Sequence, residues 1–227
     1  YFKGVKLENM MIVDNATTGL FVGAKNVTVR NVTLRNNGLL GMGANNADNL
    51  KVESLFSEKN NSQRFNRAPV SGAMKITRSR QISVTGSSFI NNYGQGPWFD
   101  ESVYNIIFAD NDSVNNEGNG VVFELSDTVK AVNNLIMDNS LKGMLVSCTG
   151  NVEIWNNTFV GNNGSLDVVQ DERRASNLSI SGHDKRRTLP DPTVPWITKN
   201  VTLANNVFSQ STDLVVGKFP KLAHKSP

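Results

Sequence analysis

The chain has 227 residues, of which 38% are apolar, and its single cysteine, Cys148, excludes a disulfide within the chain. The formal net charge is only +3, and no apolar run approaches the roughly 18 residues that a membrane-spanning helix needs. Because the basic residues are not interleaved with aromatic ones and match no reading motif, no nucleic-acid partner is expected.

A unit of about 23 residues recurs from Gly4 onward. Each unit contains three short strand-like runs turned by Asn and Gly, as in Val129–Ala131, Leu135–Met137 and Met144–Val146. The residues one and three past each start are apolar, and this period of two indicates strands rather than helices. One unit cannot bury its own apolar side chains, so the repeat predicts a stack of rungs. The rung starts are Gly4, Asn26, Asn49, Gln81, Asn105, Thr128, Asn151 and Asn200.

A column of asparagine lies eleven residues after the rung starts, and only the last rung departs from it, with Ser211. An Asn amide both donates and accepts, so stacked Asn side chains predict a ladder of hydrogen bonds along the stack. A looser Asn column lies five or six residues after the starts. The first column is Asn15, Asn37, Asn60, Asn92, Asn116, Asn139 and Asn162; the second is Asn9, Asn31, Asn111, Asn133, Asn156 and Asn205.

This rung pattern, over roughly residues 4–216, resembles the right-handed parallel β-helix (pectin-lyase-like) superfamily of pectate lyases, polygalacturonases and alginate lyases. It is most similar to the bacterial β-helix repeat proteins. The resemblance implies an all-β, single-stranded right-handed parallel β-helix of about eight rungs, with three short strands per rung. We assign residues 1–217 to this helix and 218–227 to a basic tail. The resemblance also implies a secreted or cell-surface bacterial protein that binds a polysaccharide along one sheet.

Two insertions interrupt the repeat, near residues 60–70 and 171–199, and both adjoin the third strand of a rung. Long loops in a compact repeat are usually functional or disordered. The second insertion and the tail hold most of the basic excess, which could attract a polyanion or form an ordinary solvated surface. The first rung has no cap, so an upstream domain or a partner chain is expected there. The clustered basic residues are Arg173, Arg174, Lys185, Arg186, Arg187, Lys218, Lys221 and Lys225.

Between the insertions, the third strands end in polar residues. If Phe99 and Phe123 point inward, the period of two turns this polar column outward together with Trp98. Asp100 and Glu124 would then stand on adjacent rungs about 4.8 Å apart. One of the two pKa values should rise unless a cation compensates. The alternative is a solvated strand end with an ordinary Lys75–Asp100 ion pair. The successive rungs present Lys75, Asp100, Glu124, Ser147 and Gln170, with Glu101 and Asp171 one residue further.

We predict Lys75, Asp100 and Glu124 as catalytic residues, with Asp100 and Glu124 able to hold a calcium ion. Trp98 would stack on a sugar. The favoured reaction is β-elimination at a uronate, in which Lys75 or a nearby arginine takes the C5 proton. Retaining glycoside hydrolysis by the two carboxylates is one alternative, and a non-catalytic, tailspike-like binding solenoid is another. The further substrate-binding candidates are Trp98, Glu101, Gln170, Asp171, Arg173 and Arg174; the arginines considered as bases are Arg78, Arg80, Arg173 and Arg174.

Overall fold

All regular secondary structure in the computed structural model, which describes residues 4–209 and 214–218, is β-strand. Ser211, Lys221 and Lys225, and with them most of the predicted basic tail, lie outside the described residues. The strands are β1 Val5–Val13, β2 Thr18–Val22, β3 Val27–Arg35, β4 Leu40–Asn45, β5 Lys51–Glu53, β6 Phe56–Glu58, β7 Gly72–Thr77, β8 Arg80–Thr85, β9 Ser88–Ile90, β10 Gln95–Asp100, β11 Tyr104–Ala109, β12 Asp112–Val114, β13 Val121–Glu124, β14 Asp127–Val132, β15 Leu135–Met137, β16 Met144–Ser147, β17 Gly150–Trp155, β18 Thr158–Val160, β19 Leu166–Val169, β20 Lys199–Ala204, β21 Val207–Phe208 and β22 Leu214–Lys218.

Each rung contributes strands to parallel stacks that run the length of the molecule. The third strands form an eight-stranded sheet, sheet B, in the order β2-β4-β7-β10-β13-β16-β19-β22. The first and second strands form a fourteen-stranded sheet, which divides into two stacks because β1 and β3 each run through both. All neighbouring strands pair in parallel, as in β10 with β13. The predicted all-β parallel β-helix of about eight rungs is therefore confirmed.

The corners of the rungs are built from residues with left-handed backbone conformation. The rung-start residues from Asn26 to Asn200 have φ between 52° and 60°. A second corner lies five residues later, where φ is again positive at positions such as Asn31 and Asn133. Asn adopts this conformation at lower cost than most residues with a side chain. The repeated Asn of the sequence thus marks the turns that close each rung.

The core fills the space between the stacks with one inward side chain from every second strand residue. Phe99 and Phe123 stack on adjacent rungs with ring centroids 5.2 Å apart, and Phe108 meets both edge-on. All three side chains are fully buried. Burying such a side chain contributes on the order of 1.5–3 kcal/mol. The inward direction of Phe99 and Phe123 turns their polar neighbours in sheet B outward, as the alternation predicts.

The Asn ladder is present. Each Asn amide nitrogen from Asn15 to Asn139 donates to the amide oxygen of the next rung over 2.8–3.0 Å. The six members from Asn37 to Asn162 are buried. Glycine at the start of the third strands makes room for them. A Cβ at Gly120, for instance, would lie 2.7 Å from Asn139 Nδ2.

The looser second Asn column is two columns rather than one, which corrects the prediction. The residues five past the rung starts, such as Asn133, are corner residues. The residues six past the starts form a second ladder confined to the later rungs. Its hydrogen bonds measure 2.8–3.1 Å. This ladder consists of Asn111, Asn134, Asn157 and Asn206.

Asn116→Leu should lower the free energy of unfolding by about 1–3 kcal/mol, because buried polar groups lose their partners. Asn116 donates to Asn139 Oδ1 and Phe89 O, and its own oxygen accepts from the Asn92 amide. Urea unfolding measures the change. The matched control is Asn115→Gly, which removes an exposed amide and suits the positive φ of 53° at that position. Equal stability of the two variants would contradict the role of the ladder.

The first insertion, between β6 and β7, lies along the side of sheet B at which the strands begin. The Arg64 guanidinium stacks on the Tyr93 ring at 3.7 Å and pairs with Glu117, two rungs further along the stack. The loop then passes over the sheet, where Pro69 O accepts a hydrogen bond from the Lys75 ammonium. The first insertion therefore covers the start of the polar column.

The second insertion, between β19 and β20, lies along the side of sheet B at which the strands end. Trp196 lies in a small core of its own with Leu125 and Cys148. The insertion also reaches back along the stack, because Arg186 pairs with Asp48 and Asp184 at 3.0 and 2.8 Å. It leaves the helix in rung seven, as the sequence predicts, but it contacts corners as far back as the end of rung two.

Candidate functional site

The register of sheet B places Lys75 and Asp100 in different columns. Trp98 pairs with Lys75 on one side and with Val122 on the other, whereas Asp100 pairs with Thr77. Lys75 therefore shares its column with Trp98, two residues before the position that the sequence assigned to it. The insertion before β7 changes the number of residues between the rung start and the third strand. For this reason the sequence placed Lys75 in the column of Asp100.

Lys75 nevertheless reaches Asp100. Its Nζ donates to Asp100 Oδ2 at 2.8 Å and to Pro69 O at 2.6 Å, and it lies 3.5 Å from the centroid of the Trp98 ring. The Lys75 and Asp100 side chains are 8% and 9% exposed. A buried ion pair is stable only when its remaining polar atoms are satisfied. The Pro69 carbonyl and the Trp98 face do this for the ammonium, and the Glu101 amide does it for Asp100.

Glu124 lies next to this pair, at the exposed side of the cluster. Its Oε2 accepts a hydrogen bond of 3.1 Å from Trp98 Nε1, and its Oε1 accepts one of 2.5 Å from Arg173 Nη2. Burial, followed by the charge of Asp100, raises the pKa of Glu124 above its ordinary value, although Arg173 and Lys75 oppose the rise. The Glu124 side chain is 16% exposed, against 8% and 9% for Lys75 and Asp100.

Arg173 joins Glu124 to Asp171. Its Nε and backbone amide each donate to the Asp171 carboxylate at 2.7 Å. These bonds outweigh partial burial and hold the pKa of Asp171 below its usual value, while the two carboxylates raise the pKa of Arg173. Among the described residues, none accepts a hydrogen bond from Nη1 of Arg173. The guanidinium is thus oriented by Asp171 and keeps one donor edge for a further partner.

The other predicted substrate-binding residues are engaged elsewhere. Glu101 pairs with Arg78 at the corner after β10. Arg174 donates to the backbone oxygens of Asp171 and Arg173. Gln170 is only 4% exposed and binds Thr198 N through its oxygen, so it fastens the second insertion instead of facing the groove.

Cys148 has a structural environment. It is fully buried, and Gln170 Nε2 donates to its sulfur at 3.2 Å. Burial raises the pKa of its thiol to about 11, so it stays protonated at neutral pH.

One residue of the outward face was missed by the sequence reasoning. Asp167 stands two rungs after Val122 in the column of Trp98, as the pairing of Leu145 with Asp167 shows. The period of two, continued from buried Val168, would have identified it. The contact of Arg173 with Glu124 has no such signal, because 49 residues separate the two.

A calcium ion fits the carboxylates poorly. The Asp100 and Glu124 oxygens already accept hydrogen bonds from Lys75, Trp98 and Arg173, whereas Ca²⁺ takes six to eight oxygen ligands. Within residues 4–209 and 214–218, no group of three or more His, Cys, Asp or Glu side chains is placed to hold a metal. Side chains alone can supply the chemistry of this site, and calcium dependence stays a prediction.

Stability should fall as the pH rises through the folded-state pKa of Glu124. A carboxyl with a raised pKa holds its proton more tightly in the folded state, so stability is lost between pH 4.5 and the raised value. Glu124→Gln removes this loss. Its unfolding free energy in urea, measured from about pH 4 to 8, should decline less steeply than that of the unmodified protein. Parallel declines would contradict the assignment.

A family model described as right-handed β-helix region matches residues 2–181. Among solved structures, the fold is similar to the A-module of the Azotobacter vinelandii mannuronan C-5 epimerase AlgE6, with a TM-score of 0.57 and 13% identity over 95% of this chain. The AlgE4 A-module of the same organism gives 0.56 and 12% over 94%. The chain spans only 57% and 58% of those two structures. Likeness at this identity concerns the fold alone.

No curated protein matches the sequence. Among the described residues, no helix has the length and apolar character that crossing a membrane requires.

Proposed function

The chain belongs to the right-handed β-helix family, and on that premise we propose that it removes the C5 proton of a uronate residue in an acidic polysaccharide. The reaction takes place on the outward face of sheet B, between the two insertions. The resemblance inferred from the rung pattern is confirmed at the level of the family, and the activity is our proposal.

The observation that carries the proposal is the environment of Glu124. Its carboxyl has a raised pKa, its side chain is more exposed than those of Lys75 and Asp100, and it touches a guanidinium whose Nη1 has no hydrogen-bond acceptor among the described residues. A base works best when its pKa lies near the working pH, and burial beside Asp100 moves Glu124 in that direction. A cation next to that base is what the removal of a proton beside a carboxylate requires.

In an elimination, Arg173 and Glu124 have separate roles. Arg173 binds the uronate carboxylate through Nη1 and so makes the C5 proton more acidic. Glu124 accepts that proton, and the released electron pair forms the C4–C5 double bond as the bond from C4 to the glycosidic oxygen breaks. The departing oxygen then takes the proton from Glu124. The proton, the electron pair and the leaving group are thereby balanced.

Lys75 and Asp100 take a supporting role in this mechanism, which revises the predicted catalytic trio. Both side chains lie beneath Pro69 and Trp98 and are less than 10% exposed. Asp100 raises the pKa of Glu124, and Lys75 holds the Trp98 ring whose indole nitrogen positions the Glu124 carboxylate.

C5 epimerisation is the second candidate. It begins with the same proton removal and ends when a proton returns to the opposite face of C5. The observation in its favour is that the two similar structures are mannuronan C-5 epimerases by name. Retaining hydrolysis has less support, because Asp100, which would be the second carboxylate, is covered and bound to Lys75. Binding without chemistry is a possible outcome of the test below.

Secretion or cell-surface location, and a partner at the first rung, stay predictions. A secreted or cell-surface location would bring the protein into contact with an extracellular polysaccharide.

The test uses a panel of uronate polysaccharides incubated with the full chain, with calcium and with a chelator. Elimination gives ultraviolet absorbance from the new double bond. Epimerisation changes the proton NMR signals of the sugar residues without producing that absorbance. Either product supports the proposal. New reducing ends without absorbance would support hydrolysis, and binding without product would support an adhesion solenoid; both outcomes overturn the proposal.

A further inference from the structure

A recess in the outward face of sheet B lies at rung two, where Gly43 has no side chain. The register pairs Gly43 with Phe21 on one side and with Lys75 on the other, so side chains of this column stand only on the two neighbouring rungs. The resulting cavity has a volume of about 290 Å³, at the lower end of the roughly 300–1,000 Å³ typical of ligand pockets. It therefore suits a group that projects from a ligand.

Most of the cavity wall is apolar, and its largest part is an exposed aromatic ring. Phe21 is 64% exposed, and its ring leans over the recess, because a Cβ on Gly43 would lie 2.9 Å from Phe21 Cδ2. Leu40 lies beside this ring and is almost fully buried. Pro69 and Val70 of the first insertion line the cavity from the side at which the strands begin. The recess thus offers apolar contact to a methyl group.

The wall on the side at which the strands end contains a hydrogen-bond donor. Asn45 lines the cavity, and its Oδ1 accepts from Thr77 Oγ1 at 3.1 Å and from Arg78 Nη1 at 3.5 Å. A guanidinium can only donate, so the oxygen of the amide faces Arg78 and the nitrogen points elsewhere. Asn45 Nδ2 donates to no described residue and is not among the fully buried atoms without a partner. This nitrogen is therefore left to donate to a ligand.

The charges around the cavity favour an uncharged group. The one cation among the described residues that line it is the Lys75 ammonium, which is already bound to Asp100 and to Pro69 O. Glu101 also lines the cavity, and its partner Arg78 does not. A carboxylate placed here would meet the Glu101 carboxylate without a free cation to offset the repulsion. A uronate carboxylate therefore does not suit this position.

We propose that the cavity binds an O-acetyl group of the polysaccharide, with the methyl group against Phe21 and the carbonyl oxygen accepting from Asn45 Nδ2. An acetyl ester is uncharged, projects from the sugar ring, and combines a methyl group with one acceptor. The inference rests on the proposed function for the identity of the polymer. Gly43 and the strand of Glu124 are three rungs apart, or about 14 Å. The acetylated sugar and the uronate that loses its proton are thus different residues of one chain.

The test compares O-acetylated and alkali-deacetylated forms of the same mannuronate and galacturonate hexamers by calorimetric titration. The protein is the full chain carrying Glu124→Gln, which leaves the hexamers intact. The acetylated form of the hexamer that binds should bind about tenfold more tightly, the combined effect of one buried methyl group and one hydrogen bond. A ¹³C-labelled acetyl methyl should also shift upfield on binding, because it lies on the face of the Phe21 ring.

Two variants remove the two contacts separately. Phe21→Ala should abolish the preference for the acetylated form and leave the affinity for the deacetylated form unchanged. Asn45→Asp should reduce the preference to about threefold, since Asp still accepts from Thr77 and Arg78 but has no proton to donate. The matched control is Phe56→Ala, which removes a 36% exposed phenylalanine from β6, outside sheet B, and should leave the preference unchanged.

The Trp98 indole N–H signal of the ¹⁵N-labelled protein separates this proposal from the proposed function. Equal affinities for the two forms, with the Trp98 signal shifted by both, would overturn the acetyl site and leave the proposed function standing. A preference that survives both Phe21→Ala and Asn45→Asp would also overturn the acetyl site. A preference lost in the variants, without any shift at Trp98, would support the acetyl site and count against the reaction on sheet B. If no hexamer binds, both proposals fail.

Discussion

Glu124→Gln should lower the rate on a uronate polysaccharide by about 10²–10⁴-fold, the usual contribution of a positioned acid or base. Glutamine keeps the shape of the side chain, and its one oxygen can still accept the hydrogen bond from Arg173, but its amide nitrogen cannot accept from Trp98 and it cannot take the C5 proton. The KM should change little, because Arg173 and the sheet surface remain. Initial rates across substrate concentrations separate the two effects.

Glu117→Gln is the control for this variant. Glu117 is a half-exposed carboxylate that pairs with Arg64 at the far edge of sheet B. Its replacement should leave the rate within about twofold, since an exposed pair contributes at most about 1 kcal/mol. A Glu124→Gln protein as active as this control would remove Glu124 from the mechanism.

Lys75→Met should lower the free energy of unfolding by about 3–5 kcal/mol, because it leaves the Asp100 carboxylate buried without its cation. Methionine retains the contact of an unbranched side chain with the Trp98 ring. Adding Asp100→Asn should recover a large part of the loss, since an amide costs far less to bury than an unpaired charge. Urea unfolding of the two single variants and the double variant measures the coupling.

Lys142→Met provides the comparison on the same face of the stack. Lys142 pairs with Asp167 at 3.6 Å and is 31% exposed, so its loss should cost clearly less than the loss of Lys75. Equal costs for Lys75→Met and Lys142→Met would show that the Lys75–Asp100 pair is not sealed from water.

The fold followed from the sequence because its main determinants recur at a fixed spacing. The Asn column from Asn15 to Asn162 and the apolar alternation repeat in nearly every rung. The pattern in one rung therefore supports the prediction of the same strands and turns in the others. The ladder from Asn111 to Asn206 was blurred because it begins only at the fifth rung, next to a column of corner Asn residues.

The site could be predicted only in part, because its contacts do not follow the repeat. The alternation of inward and outward side chains along β10 and β13 identified Asp100, Glu124 and Trp98 as residues of the outward face. The partner of Glu124 comes from an insertion 49 residues away, and Arg186 reaches Asp48 across 138 residues. No spacing rule connects such pairs. Burial is equally hidden, since it depends on where the first insertion places Pro69.

The central claim, removal of the C5 proton of a uronate, is tested most directly by proton NMR of the substrate in D₂O. A uronate polysaccharide that the protein accepts should lose its H5 signal, through a C4–C5 double bond or through deuterium at C5, and Glu124→Gln should abolish the loss. An H5 signal that persists while the polysaccharide is cleaved would contradict the account.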